Sequence, residues 1–235
     1  MFAIYKREMH SYFTTPIGYV FMAVFLAVAG FCFSITTLQS QSSDVSTYFQ
    51  FLMFAYIVII PLLTMKTFAE ERRTRTEQLL LTAPVSLTGM VMAKFLAAFT
   101  MFFGTLLVSA VYFFPLSLYT EEMNWARVWG SMFAMVLIGM TFIAIGIFVS
   151  SLTENQFTAS LGTIGILLGL MIVAMVNSLI DSYAIRSVLD WISIYSRYAN
   201  FTYGIFDFGA VVYYVSMCVV FLFLSVRVFE KRRWS

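Results

Sequence analysis

Charge is what this chain of 235 residues has least of. Asp, Glu, Lys and Arg together make up 11% of it, while hydrophobic residues make up 61% and the mean hydropathy is +0.88. A water-soluble domain keeps roughly a quarter of its residues charged, so this composition cannot clothe a water-facing surface. Cysteine is nearly absent too: Cys32 and Cys218 both sit inside apolar runs, which excludes a disulfide framework and a cysteine metal site. His10 is the only histidine, so no His-Glu-x-x-His motif and no buried Ser/His centre is available. No Gly-x-x-x-x-Gly-Lys-Ser/Thr loop occurs, which excludes ATP binding of that kind. Low-complexity tracts and obvious internal repeats are lacking as well.

What is present is apolar length. Six runs stand out, at 17–38, 49–65, 90–119, 128–150, 157–180 and 209–229. A bilayer is crossed by about 20 apolar residues in a helix, and backbone polar groups in lipid must be satisfied within the segment. The runs are continuous rather than alternating over about 10 residues, which argues against a β-barrel. The expected fold is therefore all-α, one membrane domain of six spans. Lys6 and Arg7 before an apolar stretch ending Ala27-Val28-Ala29 resemble a signal peptide. The stretch runs on through Phe31 and Phe33 to Leu38, so it is read as an uncleaved first span. Pro115 marks the outer end of the long third run, or a kink in it.

The basic residues set an orientation. Placing the N-terminus inside collects Lys6, Arg7, Lys66, Arg72, Arg73, Arg75, Lys94, Arg227, Lys231, Arg232 and Arg233 on the cytosolic side, and leaves Arg127, Arg186 and Arg197 outside. Positive residues concentrate in cytosolic loops, so both termini are expected in the cytosol. The net charge of +2 then reflects topology beside acidic lipid and not nucleic-acid binding.

Four stretches outside the spans bear on function. Phe2, Tyr5, Met9, Tyr12 and Phe13 recur at helical spacing with Lys6, Arg7 and His10 among them, which suits an interfacial helix over 1–16 or a plain topogenic flank. The loop 66–89 carries Glu70, Glu71, Arg72, Arg73, Arg75 and Glu77, spaced to pair three or four apart on a helix. Leu79, Leu80 and Leu81 follow, and Pro84 ends the pattern before Val85. Three leucines on a solvated loop are costly to leave bare, so this segment is read as a docking element for a cytosolic partner. The short link around Glu154 is a tight turn that can touch the same partner, as can Glu8. The outer segment 181–208 carries Trp191, Ile194, Tyr195, Tyr198, Phe201, Tyr203 and Phe206. That aromatic surface fits short helices re-entering the outer leaflet, and equally an interfacial aromatic belt.

Charges deep in the spans are nearly missing. Lys94 lies near the cytosolic end of its span, where it can snorkel, and Asp181 lies at an outer end. Ion-coupled carriers place ionisable groups near mid-membrane, so a proton- or sodium-coupled mechanism is not expected. Gly165 and Gly169, with Gly162 a turn earlier, allow close helix approach, expected within the chain rather than at a dimer seam.

The order of these parts resembles the membrane subunit of type 2 ABC exporters, the ABC-2 permeases, over essentially the full length. Within them the chain looks most like the gliding-motility-associated permeases of Bacteroidota. Tyr5-Lys6-Arg7-Glu8 with Tyr12-Phe13-Thr14-Thr15-Pro16-Ile17-Gly18-Tyr19 resembles the family's entry into its first span. Glu70-Glu71-Arg72-Arg73 through Leu79-Leu80-Leu81-Thr82-Ala83-Pro84-Val85-Ser86, then Lys94, resembles its coupling segment and is the most specific of the three. Tyr213-Tyr214 and Glu230-Lys231-Arg232-Arg233-Trp234 resemble its last span and tail. The family often has Gly-Thr where this chain has Arg75-Thr76, and its acidic residue falls two positions after that Thr rather than at the adjacent Glu77.

The resemblance implies two six-helix halves, as a homo- or heterodimer, each docked on a cytosolic ABC ATPase through the coupling helix. ATP and magnesium would be bound by that partner, with no cofactor in this chain and no catalytic residue. The outer segment, with Trp191, Tyr195, Tyr198 and Phe201, would form an extracellular gate. A permease of a bacterial inner membrane, exporting a cargo that the fold does not name, is the expected function. The competing reading is a non-transporting scaffold or transducer serving motility or envelope assembly, and a third is a carrier working alone.

Overall fold

The computed structural model describes residues 1–39, 44–76, 86–119, 124–177 and 193–233. Among these the chain is helical, without strands. In order they are α1 (Phe2–Thr14), α2 (Pro16–Phe33) with a π-helical turn (Ser34–Leu38), α3 (Ser46–Thr64), α4 (Ala69–Arg73) and α5 (Leu87–Ser109). A 3₁₀ turn (Ala110–Tyr112), α6 (Phe113–Tyr119), α7 (Trp125–Leu152), α8 (Gln156–Asn177), α9 (Ile194–Thr202) and α10 (Phe208–Arg233) follow. Among the described residues six stretches are long and apolar enough to cross a membrane: Pro16–Leu38, Ser46–Arg73, Leu87–Leu116, Trp125–Leu152, Gln156–Asn177 and Phe208–Arg233. The six expected runs and the all-α class are those seen, with ends shifted by a few residues except in the second, which runs on from the expected Met65 to Arg73.

Local chemistry places the helix ends. Pro16 opens α2, where its missing N–H costs nothing, and Thr15 before it is extended at φ −100°, ψ 153°. Ser86 caps α5 by accepting from Gly89 N at 3.2 Å, and Asp207 Oδ1 caps α10 by accepting from Gly209 N at 2.8 Å and Ala210 N at 3.2 Å. The 3₁₀ turn that interrupts the third span falls at Ala110–Tyr112, ahead of Pro115. The carbonyl of Val111 would have needed the N–H that Pro115 lacks, so the proline disrupts the helix one turn before itself.

α7 is the axis of the bundle. It packs on α3, α5, α8, α9 and α10, and its most apolar stretch is 78% buried, against 22% for α8 and 33% for α2 and α10. Lipid supplies little hydrophobic drive between helices, so small residues that admit neighbours set the packing. Gly139 receives the ring of Phe102 from α5, and Gly146 receives the side chain of Thr64 from α3; a Cβ at either would overlap its neighbour. Buried hydroxyls on these helices bond their own carbonyls, as Thr141 Oγ1 does to Leu137 O at 3.0 Å and Thr105 Oγ1 to Met101 O at 2.8 Å.

α8 departs from expectation. It packs through Ala159, Ser160, Thr163 and Leu167, while Gly165 and Gly169 face open space and only Gly162 lies near a neighbour, Val149. The glycines stand on a different face from the buried stripe, and among the described residues Gly165 and Gly169 meet no neighbour.

Candidate functional site

The ends of α1, α3, α5, α7 and α10 that carry most of the basic residues converge on one stretch, residues 65–76, where the second span leaves the bundle. This arm is built in from both flanks. On one flank Ser150 Oγ of α7 accepts from Phe68 N and Ala69 N, each at 3.1 Å, and donates to Met65 O at 3.2 Å. One hydroxyl thus satisfies two N–H groups that the start of α4 leaves without intrahelical partners. Arg72 Nη1 donates to Leu152 O at 3.0 Å, its Nε lies 2.9 Å from Glu154 Oε1, and Arg232 Nη2 donates to Ser151 O at 2.6 Å. Two guanidinium groups therefore cover the carbonyl end of α7, where the helix dipole favours positive charge.

On the other flank stands Lys94. Its side chain is 1% exposed, yet Nζ lies 3.0 Å from Glu8 Oε1 and 2.9 Å from Glu71 Oε1 and donates to Thr67 O at 2.7 Å. Arg7 Nη2 closes the group from outside, 2.9 Å from the same two carboxylate oxygens. Lys94 also sits 5.0 Å over the ring of Phe68, whose centroid is 4.6 Å from that of Phe229 in α10. Burial alone would push the Glu8 carboxyl up; Lys94 and Arg7, by charge and hydrogen bond, outweigh it and hold Glu8 below the ordinary 4.5. A polar cleft of about 440 Å³ lies between α1 and the arm, lined by Arg7, Glu8, Lys66, Glu70, Glu71 and Thr76 among others.

Several expected residues take up different work here. Lys94 does not snorkel to water; it is buried and saturated by partners. Glu71 and Glu8 point into the chain's own ion cluster, and Arg72 and Glu154 pair with each other. Glu70 meets Lys66 at 3.4 Å, and Arg73 is exposed. The helical run expected across the charged segment stops at Arg73, because Arg75 adopts φ +59°. Apart from Lys66–Glu70, four apart in the chain, the pairs that Glu71 and Arg72 make run across the fold rather than along one helix. Glu77, Leu79, Leu80, Leu81, Pro84 and Val85 lie outside the described residues.

In α1 the apolar stripe divides. Tyr5, Met9 and Tyr12 turn toward the bundle, with Tyr5 Oη on Thr100 Oγ1 at 3.2 Å, while Phe2 and Phe13 remain exposed beside Lys6 and His10. Tyr5, Glu8, Met9 and Tyr12 recur at i, i+3, i+4 and i+7, a signal the sequence carried once Glu8 is counted with the inner face.

At the opposite end α9 packs on α7 and α8. Tyr198 and Phe201 are each 1% exposed, and Tyr195 is half-buried. Phe201 meets Phe133 and Phe206, both at 6.2 Å between centroids, and Arg197 lies 4.6 Å over Tyr213. Tyr214 Oη donates to Ile194 O at 2.7 Å, fixing the start of α9 on α10. Gly204, at φ +75°, lets Gly204 N reach Phe201 O at 3.0 Å and Ile205 N reach Asn200 O at 3.2 Å, which closes α9. Trp191 lies outside the described residues. No group of three or more metal-ligating side chains occurs among the described residues.

Six candidate spans among the described residues, one of them the axial α7, with a polar hub at one end, define a multi-pass membrane protein. A family model described as ABC-2 family transporter protein matches residues 2–234, and the chain belongs to that family. It is a permease subunit of an ABC transporter, a membrane component of a kind that works with an ATP-binding subunit and is normally not the ATPase itself. No curated protein matches the chain.

Proposed function

We propose that this chain couples ATP hydrolysis by a separate cytosolic subunit to outward movement of a substrate, with the segment 66–89 as the coupling element. ATP and magnesium are held by that partner. The basic end faces the cytosol of a bacterial cell, both termini lie there, and a second membrane subunit completes the transporter. The gliding-motility-associated permeases of Bacteroidota are the subfamily that its coupling segment resembles.

The fastening of the arm supports this reading. A force applied to a loose loop would be lost in it, whereas residues 65–76 are tied to α7 through Ser150 and Arg72, to α5 through Lys94 and to α10 through Phe68. A partner gripping the next residues, Glu77 to Val85, therefore holds a handle on three spans. Leu79, Leu80 and Leu81 each supply about 1.5–3 kcal/mol if fully buried in a partner groove, and the flanking charges set orientation more than affinity. The buried Tyr198 and Phe201 make α9 a candidate gate at the far end.

Replacing Leu80→Ser and Leu81→Ser together is expected to release the co-purifying ATPase while the permease still inserts and folds. Retention of the partner at wild-type stoichiometry would overturn the docking assignment. Substrate-dependent ATP hydrolysis by the reconstituted complex then separates an exporter from a non-transporting scaffold.

A further inference from the structure

We infer that Lys94 is a positioning residue that locks the N-terminal helix α1 to the arm, so that α1 moves with the coupling element instead of serving as a passive membrane anchor. The inference deepens the proposed function and rests on it for its link to ATP hydrolysis; the lock itself rests on geometry.

An ammonium group has three N–H donors and no acceptor. Those of Lys94 face three acceptors: Glu8 Oε1 from α1 at 3.0 Å, Glu71 Oε1 from α4 at 2.9 Å and the Thr67 carbonyl from the arm at 2.7 Å. Arg7 bridges the same two carboxylates. Two cations and two anions from three separate elements thus form a closed, neutral set around a side chain that is 1% exposed. Removing one member of such a set leaves a buried charge uncompensated, so α1 and the arm cannot part gradually.

The rest of α1 is attached differently. Tyr5 reaches Thr100 of α5, and Tyr12 is buried, with its main-chain oxygen close against Gly18 of α2. These contacts hold α1 to α5 and α2 without involving the charged set. Loss of the Lys94 charge should therefore free α1 from the arm while leaving it docked on α5. A residue that merely filled space would loosen both junctions together, or neither.

The test uses the full-length chain in lipid nanodiscs, with Cys32 and Cys218 replaced by alanine. Spin labels on cysteines at the exposed positions Lys6 and Arg73 report the α1–arm distance, and labels at Lys6 and Phe103 report α1 against α5. The unaltered charged set should give a narrow distribution for both pairs. In Lys94→Met the first is expected to lose its narrow peak and broaden while the second is unchanged, and Lys94→Arg should restore the first. If Lys94→Met fails to insert, Glu71→Gln and Glu8→Gln should each broaden the first pair alone. A narrow first distribution in Lys94→Met, or in both glutamine variants where those must replace it, overturns the lock, as does equal broadening of both pairs. With the ATPase present, Lys94→Met should keep the partner bound but lose substrate-dependent stimulation of hydrolysis. Should no ATPase ever co-purify, the coupling reading falls, while the distances measured on the chain alone still decide the lock.

Discussion

The two ends of the bundle solve the same problem with different chemistry. At the basic end a short helix, α4, is fixed by charge: Lys94 with Glu8 and Glu71, Arg72 with Glu154 and the end of α7. At the other end a short non-spanning helix, α9, is fixed by rings: Phe201 against Phe133 and Phe206, Tyr198 buried behind them, and Arg197 over Tyr213. Charge-assisted contacts are directional and come apart as a set, and they respond to pH and, where exposed as at Arg72–Glu154, to salt. Ring contacts scale with buried area, tolerate small shifts and ignore both. The basic end thus has the switchable fastening and the aromatic end the indifferent one.

The comparison can be broken most severely at the aromatic end. Phe201→Ala should destabilise the folded chain by about 3–5 kcal/mol, the usual range for truncating a buried phenylalanine. In detergent, thermal unfolding followed at low and at high salt should show the same loss in both. A loss that shrinks with salt would mean that charge governs α9 too.

A smaller effect separates the ends by pH. Glu8 is held below its ordinary 4.5 by Lys94 and Arg7 against the opposing cost of burial. Its ionised form therefore adds stability at pH values above 4.5, and that contribution drains away as the pH falls through the lowered folded value. Asp207 at the aromatic end is lowered as well, chiefly by the hydrogen bond from Asn200 and by the N–H groups of α10, but from 3.8. Melting temperature against pH should accordingly begin to fall near 4.5 in the wild type. Glu8→Gln should remove that first part of the decline and leave the part starting below 3.8.

The smallest effect concerns how the two short helices stop. α9 ends on Gly204 at φ +75° and α4 ends on Arg75 at φ +59°, with Arg75 N bonded to Arg72 O at 3.1 Å. A left-handed conformation costs an ordinary residue roughly 1–2 kcal/mol, and glycine adopts it freely. Part of that gain is offset by the greater freedom of glycine in the unfolded chain. Arg75→Gly should therefore raise stability by about 1 kcal/mol or less, read as a small upward shift in melting temperature, whereas Gly204→Ala should lower it. The turn after α4 calls for a left-handed residue, a position that glycine fills without strain.

Much of the architecture was legible in the residues. The six runs, the all-α class and the amphipathic pattern before the first span follow from period, length and composition; the burial of Tyr198 and Phe201 does not, since their aromatic character fitted an interfacial belt equally well. Partner choice was not legible. Glu71 and Arg72 are adjacent, and spacing along a helix suggested local pairs; in the fold they point to opposite flanks, one to Lys94 and the other to Glu154. Lys94 stands 23 residues beyond Glu71 and 86 beyond Glu8 in the chain, a separation that no short-range pattern encodes. The same holds for Ser150, whose hydroxyl caps a helix 81 and 82 residues away.

By itself the sequence determined that this protein lies in a membrane, how many times it can cross and which end is basic. Those are properties of length and charge, which each segment carries alone. Tertiary structure decided which charges are spent inside the chain and which remain for others, which face of α8 is left open, and that α7 forms the axis. Each of these depends on which helices stand side by side, and a buried amine among two carboxylates is stable only once all three elements have arrived.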